Sequence, residues 1–393
     1  METTDILFAL LRHAVCGEEL NEQTIAACTP EKLEEVYALA KKHDQAHLVA
    51  YAVEGLQIPA CEVTDKLKKA KMKAIYRYAQ LEYEFERICG VLEQAEIPFI
   101  PLKGSVLREY YPEPWMRTSC DIDVLVTEEN LSSAIKALSP NDWKIKGEVN
   151  YHDISLYSAL GVHLELHFHI RENMDDLDPT LTKVWECIVP VEGKQYQKQQ
   201  SLPFFIFHQL AHMVYHFRMG GCGIRPFLDI WFLRKSAPYD DLAVRSLCQE
   251  AGIESFYDAI LRLIEVWFGK RPHTVETKRI EQFILNGGLY GDASNKMLIS
   301  KVSANMSAHW FSRIFLPYDL LKVKYPILEK YRVLMPVFQL RRWFGKMNVN
   351  RMWKLLRKRK KVNCFEETQN LETIELLKSV GFVPPKMTTK EKK

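Results

Sequence analysis

Hydrophobic residues in the first 95 positions recur every three or four residues. Leu7, Leu10 and Leu11 are an early example, and residues 64–94 form a long charged amphipathic segment. This spacing places apolar side chains on one face of a helix. The pattern predicts an all-helical N-terminal region over residues 1–95.

Short apolar and alternating segments replace this pattern between about residues 96 and 200. Each is typical of a strand, because side chains alternate between the two faces of a sheet. Helical turns are predicted after the first two strands, at 106–111 and 128–138. The predicted strands lie at Phe99 to Leu102, Asp121 to Val126, Trp143 to Glu148, Asp153 to Tyr157 and Val162 to Ile170.

Helical spacing returns after Ser201, with helices predicted at Leu202 to Phe217, Ile224 to Lys235 and Asp241 to Trp267. We therefore predict an α+β fold, in which a small mixed β-sheet core is flanked by N- and C-terminal helical regions. The predicted organisation is a helical region at 1–95, the sheet core at 96–200, a helical region packing on it at 201–290, and a basic helical region with a frayed end at 291–393.

The composition is that of a folded globular protein, with 47% hydrophobic and 26% charged residues. The longest apolar stretch, Phe204 to Phe217, contains His208, His212 and His216, so no transmembrane helix is expected. The first twenty residues do not show a basic segment followed by a long apolar one, so a secretory signal peptide is not expected. Nine cysteines without a CxxC pair predict a reduced, cytoplasmic location.

The net charge of +3 hides a strongly basic segment. Residues 321–361 hold fourteen Lys or Arg and one acid, which leaves −10 on the rest of the chain. The run from Arg357 to Lys361 is a candidate for weak contact with a polyanion or a membrane surface. The alternative is that helices here pack on the body and leave a solvated polybasic end.

Asp121 and Asp123 are two residues apart on a predicted strand, so both carboxylates lie on one face. Two like charges at this distance repel and raise a pKa unless a cation lies between them. A divalent metal is the usual cation in such a site. The alternative is an exposed strand start with two solvated acids.

A third acid, Glu165, shares a strand face with His163, His167 and His169, while apolar residues occupy the other face. A metal site beside the aspartate pair would give this polar face a partner. The histidines also permit a zinc site. A third alternative is that they form hydrogen bonds or lie at a solvated sheet edge.

Gly104 and Ser105 follow a short strand, in a position that suits a phosphate cradle. Glycine lets the backbone approach an anion, and the serine hydroxyl and following amides can donate hydrogen bonds. Lys103 and Arg117 are candidate counter-charges for phosphate, or equally surface salt-bridge partners.

Two further pairings follow from helical spacing. His208, His212 and His216 form one stripe, which is expected to line a cleft between helix and core, with metal binding as the alternative. Arg225 and Asp229 are four apart and are expected to form an intrahelical ion pair or to line the cleft.

Several of these segments together resemble the nucleotidyltransferase superfamily of DNA polymerase β type. The resemblance is closer to a bacterial family of uncharacterised nucleotidyltransferases and extends over roughly the first 350 residues. It rests on Pro101-Leu102-Lys103-Gly104, Tyr111-Pro112, Arg117, Asp121 to Val126, and Glu165-Leu166-His167.

The resemblance implies transfer of a nucleoside monophosphate from an NTP to a hydroxyl of an unknown acceptor, with release of pyrophosphate. It implies that Gly104 and Ser105 hold the β and γ phosphates. Asp121 and Asp123 would bind two Mg²⁺ ions, or Mn²⁺, and Glu165 would complete the site or accept the proton. The alternatives are a catalytically inactive nucleotide- or partner-binding protein on the same fold, and a basic nucleic-acid-binding protein.

Overall fold

A computed structural model describes most of the chain up to residue 288 and parts of the remainder. The described residues are 1–56, 58–149, 152–172, 174–236, 239–288, 318, 321, 325, 327–346 and 381. The predicted basic contact from Arg357 to Lys361, and most of the predicted 291–393 region, lie outside the described residues.

In the described part of the first 95 residues, helices are the only regular secondary structure, as the hydrophobic spacing predicts. Side-chain caps begin several of them: the Asn21 side chain accepts a hydrogen bond from the Thr24 amide, and the Thr29 hydroxyl accepts one from the Lys32 amide. The helices are α1 (Thr3–Cys16), α2 (Glu22–Ala27), α3 (Pro30–Lys42), α4 (Ala46–Ala52) and α5 (Glu62–Gln94).

A five-stranded mixed sheet follows, so the fold is α+β. Its strands are β1 (Phe99–Leu102), β2 (Asp121–Val126), β3 (Lys144–Val149), β4 (Asp153–Tyr157) and β5 (His163–His167), in the spatial order β1-β2-β5-β4-β3. Strands β2 and β5 are parallel, and the other neighbours are antiparallel. Two helices lie between these strands, α6 (Gly104–Leu107) and α7 (Leu131–Leu138).

A second, two-stranded sheet was not predicted, because its strands have only three residues each and lack an alternating pattern. After α8 (Asp178–Leu181), the chain forms β6 (Ile188–Pro190) and β7 (Lys198–Gln200). The amide of Phe99 donates to the carbonyl of Tyr196, which connects this small sheet to the edge strand β1.

Seven more helices are described after the sheets. The single helix predicted over residues 241–267 is wrong, because Gly252 adopts a φ of +67°, where a helix cannot continue. The Ile253 amide instead donates to the Cys248 carbonyl at 2.8 Å. The helices are α9 (Leu202–Arg218), α10 (Arg225–Lys235), α11 (Asp241–Glu250), α12 (Glu254–Trp267), α13 (Val275–Gly287), α14 (Ile327–Lys330) and α15 (Met335–Lys346).

The two faces of the five-stranded sheet contact different cores. Ile122, Val124 and Leu164 belong to a buried cluster with α5 and α7. Leu102 and Leu125, on the other face, join a larger cluster that includes residues of α1, α4, α9 and α12. Among the helices described, none is both long and apolar enough to cross a membrane.

Candidate functional site

The register of the sheet brings the three predicted acids together. Asp123 lies directly beside Glu165 in the parallel β2–β5 ladder, and Asp121 lies beside His163. Because side chains alternate along both strands, these four residues project from the same face. The aspartate pair and Glu165 therefore share one site, although more than forty residues separate them along the chain.

Two overlapping groups of potential metal ligands lie on this face. Asp121, His163 and Glu165 form the first group, and Asp123, Glu165 and His167 form the second. Within each group, one ligand atom from every residue lies within 4.8 Å of the others. Glu165 belongs to both groups, so the two groups share one carboxylate.

The Asp123 carboxylate is buried and held by two cations. Its Oδ1 accepts hydrogen bonds from Lys103 Nζ at 3.1 Å and His167 Nε2 at 2.9 Å. Burial raises the pKa of Asp123, but the Lys103 ammonium and His167 outweigh it and lower this pKa well below the usual range. Burial likewise opposes protonation of His167, whose bonds to Asp123 and Glu165 nevertheless raise its pKa to about 9.

Asp121 is the acid of the pair whose pKa is raised. Burial is the main cause, and repulsion from Asp123 and Glu165 adds to it. The repulsion expected between two carboxylates on one strand face thus acts on Asp121, while Lys103 and His167 compensate the charge of Asp123. A cation between the acids would remove this repulsion.

The turn between β1 and α6 is closely packed. Lys103 has a φ of +43°, which points its side chain towards Asp123 while the chain reverses. A Cβ on Gly104 would lie 3.0 Å from Ser119 Cβ and 3.1 Å from Arg117 Nη1, so only glycine fits without a shift. The Ser105 hydroxyl is buried and has no hydrogen-bond partner among the described residues.

Arg117 lies behind this turn in a buried ion pair. Its Nε and Nη2 donate to the two carboxylate oxygens of Asp229, at 3.1 and 2.9 Å, and the Tyr111 hydroxyl donates to Asp229 Oδ1 at 2.7 Å. The expected intrahelical pair of Arg225 with Asp229 is wrong. Arg225 instead lies 3.4 Å from Asp44, because the buried guanidinium of Arg117 occupies both Asp229 oxygens.

A cleft of about 330 Å³ opens between the sheet and α9. Lys103, Glu165 and His167 line it from the sheet, and His208 and His212 line it from α9, which confirms the expected place of these two histidines. Other residues that line it include His152, Asp153, Arg171, Glu172 and Tyr215.

In the histidine stripe of α9, His212 is hydrogen-bonded to both Glu172 and His216. His212 Nδ1 lies 2.8 Å from a carboxylate oxygen of Glu172, and His212 Nε2 lies 2.9 Å from His216 Nε2. Despite burial, the charge and hydrogen bond of His212 lower the pKa of Glu172 to about 2. An ionised Glu172 carboxylate can only accept, so His212 Nδ1–H donates this hydrogen bond.

Sequence reasoning did not find Glu172, Asp153 or His152. Glu172 follows the last residue of the predicted strand, where no pattern marks it. Asp153 and His152 lie at the start of β4, and only the pairing of β4 with β5 brings them to the site. The alternation of Asp153 with Ser155 and Tyr157 was the one available signal for a polar face on this strand.

The buried histidines make stability depend on pH. Burial lowers the pKa of His208 and of His216 to about 3, and that of His43 to about 4. Below pH 6.5 the unfolded chain therefore binds protons that the folded chain does not. As the pH falls, the free energy of unfolding decreases by up to ~1.4 kcal/mol per pH unit for each histidine. His167 has the opposite effect, because its pKa is raised: it stabilises the folded state fully below pH 6.5, and this stabilisation is lost as the pH rises through about 9.

We expect the free energy of unfolding, measured with urea, to fall steeply between pH 6.5 and 5. His208→Gln should make this decline less steep, because it removes a histidine whose pKa is lowered by burial. An unchanged slope in His208→Gln would contradict the expectation.

Comparison with known families identifies a matching family model. A family model described as uncharacterised nucleotidyltransferase matches residues 29–269, more than half of the chain. The matched range contains the turn at Gly104, the aspartate pair, Glu165 and Asp229. A search of curated proteins finds no match.

Proposed function

Because this chain belongs to the uncharacterised nucleotidyltransferase family, we propose that it transfers a nucleoside monophosphate from an NTP to a hydroxyl group of an acceptor, with release of pyrophosphate. The observation that carries the proposal is the β2–β5 register. It pairs Asp123 with Glu165 and leaves Asp121 on the same face, two residues away. Three carboxylates on one face of the sheet, of which Glu165 lines the cleft, suit divalent cations and phosphoryl chemistry.

The donor atoms present fit a pair of divalent ions. Asp121, Asp123 and Glu165 would hold two Mg²⁺ ions, with Mn²⁺ as the alternative, since each ligand group also offers one imidazole. When bound, such ions lower the pKa of an acceptor hydroxyl and offset the charge on the departing pyrophosphate. The partly exposed carboxylate of Glu165 lines the cleft, where it can accept the proton of that hydroxyl.

The turn at Gly104 supports binding of the β and γ phosphates. The missing side chain of Gly104 keeps the backbone close to Ser119 and Arg117. A phosphate oxygen would supply the partner that the buried Ser105 hydroxyl needs. Lys103 and Arg117 remain candidate counter-charges, and the Lys103 ammonium is the one that lines the cleft.

Incubation of the full-length protein with α-labelled NTPs tests the proposal. The assay contains Mg²⁺ or Mn²⁺ and a panel of hydroxyl-bearing metabolites, and it follows both labelled product and pyrophosphate. Transfer of label with stoichiometric pyrophosphate supports the proposal. Calorimetric binding of an NTP without release of pyrophosphate would instead favour the inactive nucleotide-binding alternative.

A further inference from the structure

His152, Asp153 and His167 form a third group of potential metal ligands. One ligand atom of each residue lies within 4.8 Å of the other two, and all three residues line the cleft. The group contains none of the three carboxylates assigned above to Mg²⁺. It differs from the other two groups in chemistry, because it offers two imidazoles and one carboxylate.

The backbone of β4 and β5 holds these three residues in place. Asp153 pairs with His167 in the antiparallel β4–β5 ladder. The His152 carbonyl accepts hydrogen bonds from the amides of Phe168 at 3.0 Å and His169 at 3.4 Å, which continues the pairing by one residue. The imidazole rings of His152 and His167 have centroids 5.9 Å apart. The sheet therefore orders the group before any ligand arrives.

One separation is close to that between the ligands of a coordinated ion. His152 Nε2 lies 3.1 Å from Asp153 Oδ2. In a tetrahedral site with bonds of ~2.0–2.1 Å, neighbouring donor atoms are ~3.4 Å apart. The donor atom of His167 lies within 4.8 Å of the other two, so a side-chain movement is needed to enclose an ion. Asp153 is only 4% exposed, so its carboxylate is shielded from bulk solvent.

We propose that His152, Asp153 and His167 form a further site for a transition-metal dication, with Zn²⁺ preferred over Mg²⁺, and that the ion displaces one proton from the His167 imidazole when it binds. Imidazole nitrogen suits the later first-row metals, whereas Mg²⁺ favours sites made of oxygen. Three protein ligands leave a coordination position open to the cleft, as in zinc sites that bind a substrate or water. This site goes beyond the proposed transfer reaction and does not depend on it.

His152 and Asp153 are the residues that distinguish this site, because His167 also belongs to the group of Asp123. Metal-free, full-length protein is titrated with Co²⁺ in millimolar Mg²⁺, and visible absorption reports nitrogen-ligated Co²⁺. We expect one equivalent to bind and Zn²⁺ to displace it. His152→Ala and Asp153→Asn should each weaken Co²⁺ binding at least ~10-fold.

His169→Ala is the matched control, because it removes a neighbouring imidazole that lies 3.3 Å from Glu128, outside the group. Displacement of Co²⁺ by millimolar Mg²⁺, or equal binding by His152→Ala, would overturn the proposal. Circular dichroism checks that each variant is folded. His152→Ala is the substitution expected to disturb folding least, because 24% of the His152 side chain is exposed. Label transfer without this Co²⁺ binding would overturn only the additional site, and Co²⁺ binding without label transfer would leave it standing.

Discussion

Asp123→Asn is expected to reduce metal-dependent label transfer from α-labelled NTP by about 10³-fold, since several kcal/mol of charge stabilisation depend on ligands of this kind. The asparagine keeps the shape of the side chain but removes the charge that Lys103 and His167 share. The measurement is the initial rate of product formation at saturating Mg²⁺, with pyrophosphate release followed in parallel.

Two further variants separate lost chemistry from lost folding. Asp121→Asn removes a carboxylate of the same pair without breaking the Lys103–Asp123 ion pair, and it should lower the rate similarly. Glu128→Gln is the matched control, because this exposed acid follows β2 and lies outside all three ligand groups. Equal labelling by the wild-type protein and Asp123→Asn, with both folded, would remove Asp123 from the metal site.

Local pattern was sufficient for the strands that carry the acids. The predicted bounds of β2, Asp121 to Val126, agree with the structure because apolar residues alternate with the acids and buried neighbours flank them. The same alternation places Glu165 and His167 on one face of β5. A period of two is a property of the strand itself, so it needs no knowledge of the neighbouring strands.

The order in which these strands pair could not be predicted from the sequence pattern. Strand β5 lies between β2 and β4, and this order alone brings Glu165 beside Asp123 and His167 beside Asp153. The fifteen residues between Ser105 and Asp121 also fold into short helical turns that bring Arg117 against Gly104, which their spacing did not indicate. Local spacing even suggested the wrong partner for Asp229, because its true partner is distant in sequence.

Loss of the buried ion pair between Asp229 and Arg117 is expected to cause the largest change in stability. Asp229→Leu should destabilise the protein by ~3–5 kcal/mol, because it leaves the buried guanidinium of Arg117 without its carboxylate. Arg117→Met should have a comparable effect, since Asp229 would then keep only the Tyr111 hydroxyl. The measurement is the free energy of unfolding in urea at neutral pH.

The double variant Arg117→Met/Asp229→Leu distinguishes a coupled pair from two independent contacts. Removing both charges leaves neither one buried alone, so the loss should be clearly smaller than the sum of the single losses. Arg225→Met is the matched control, because its more exposed pair with Asp44 should contribute below ~1 kcal/mol. Simple additivity would show that Arg117 and Asp229 act separately.

If Arg117 also offsets phosphate charge, Arg117→Met should weaken NTP binding by the folded protein more than Asp229→Leu does, because only the former removes a cation beside Gly104.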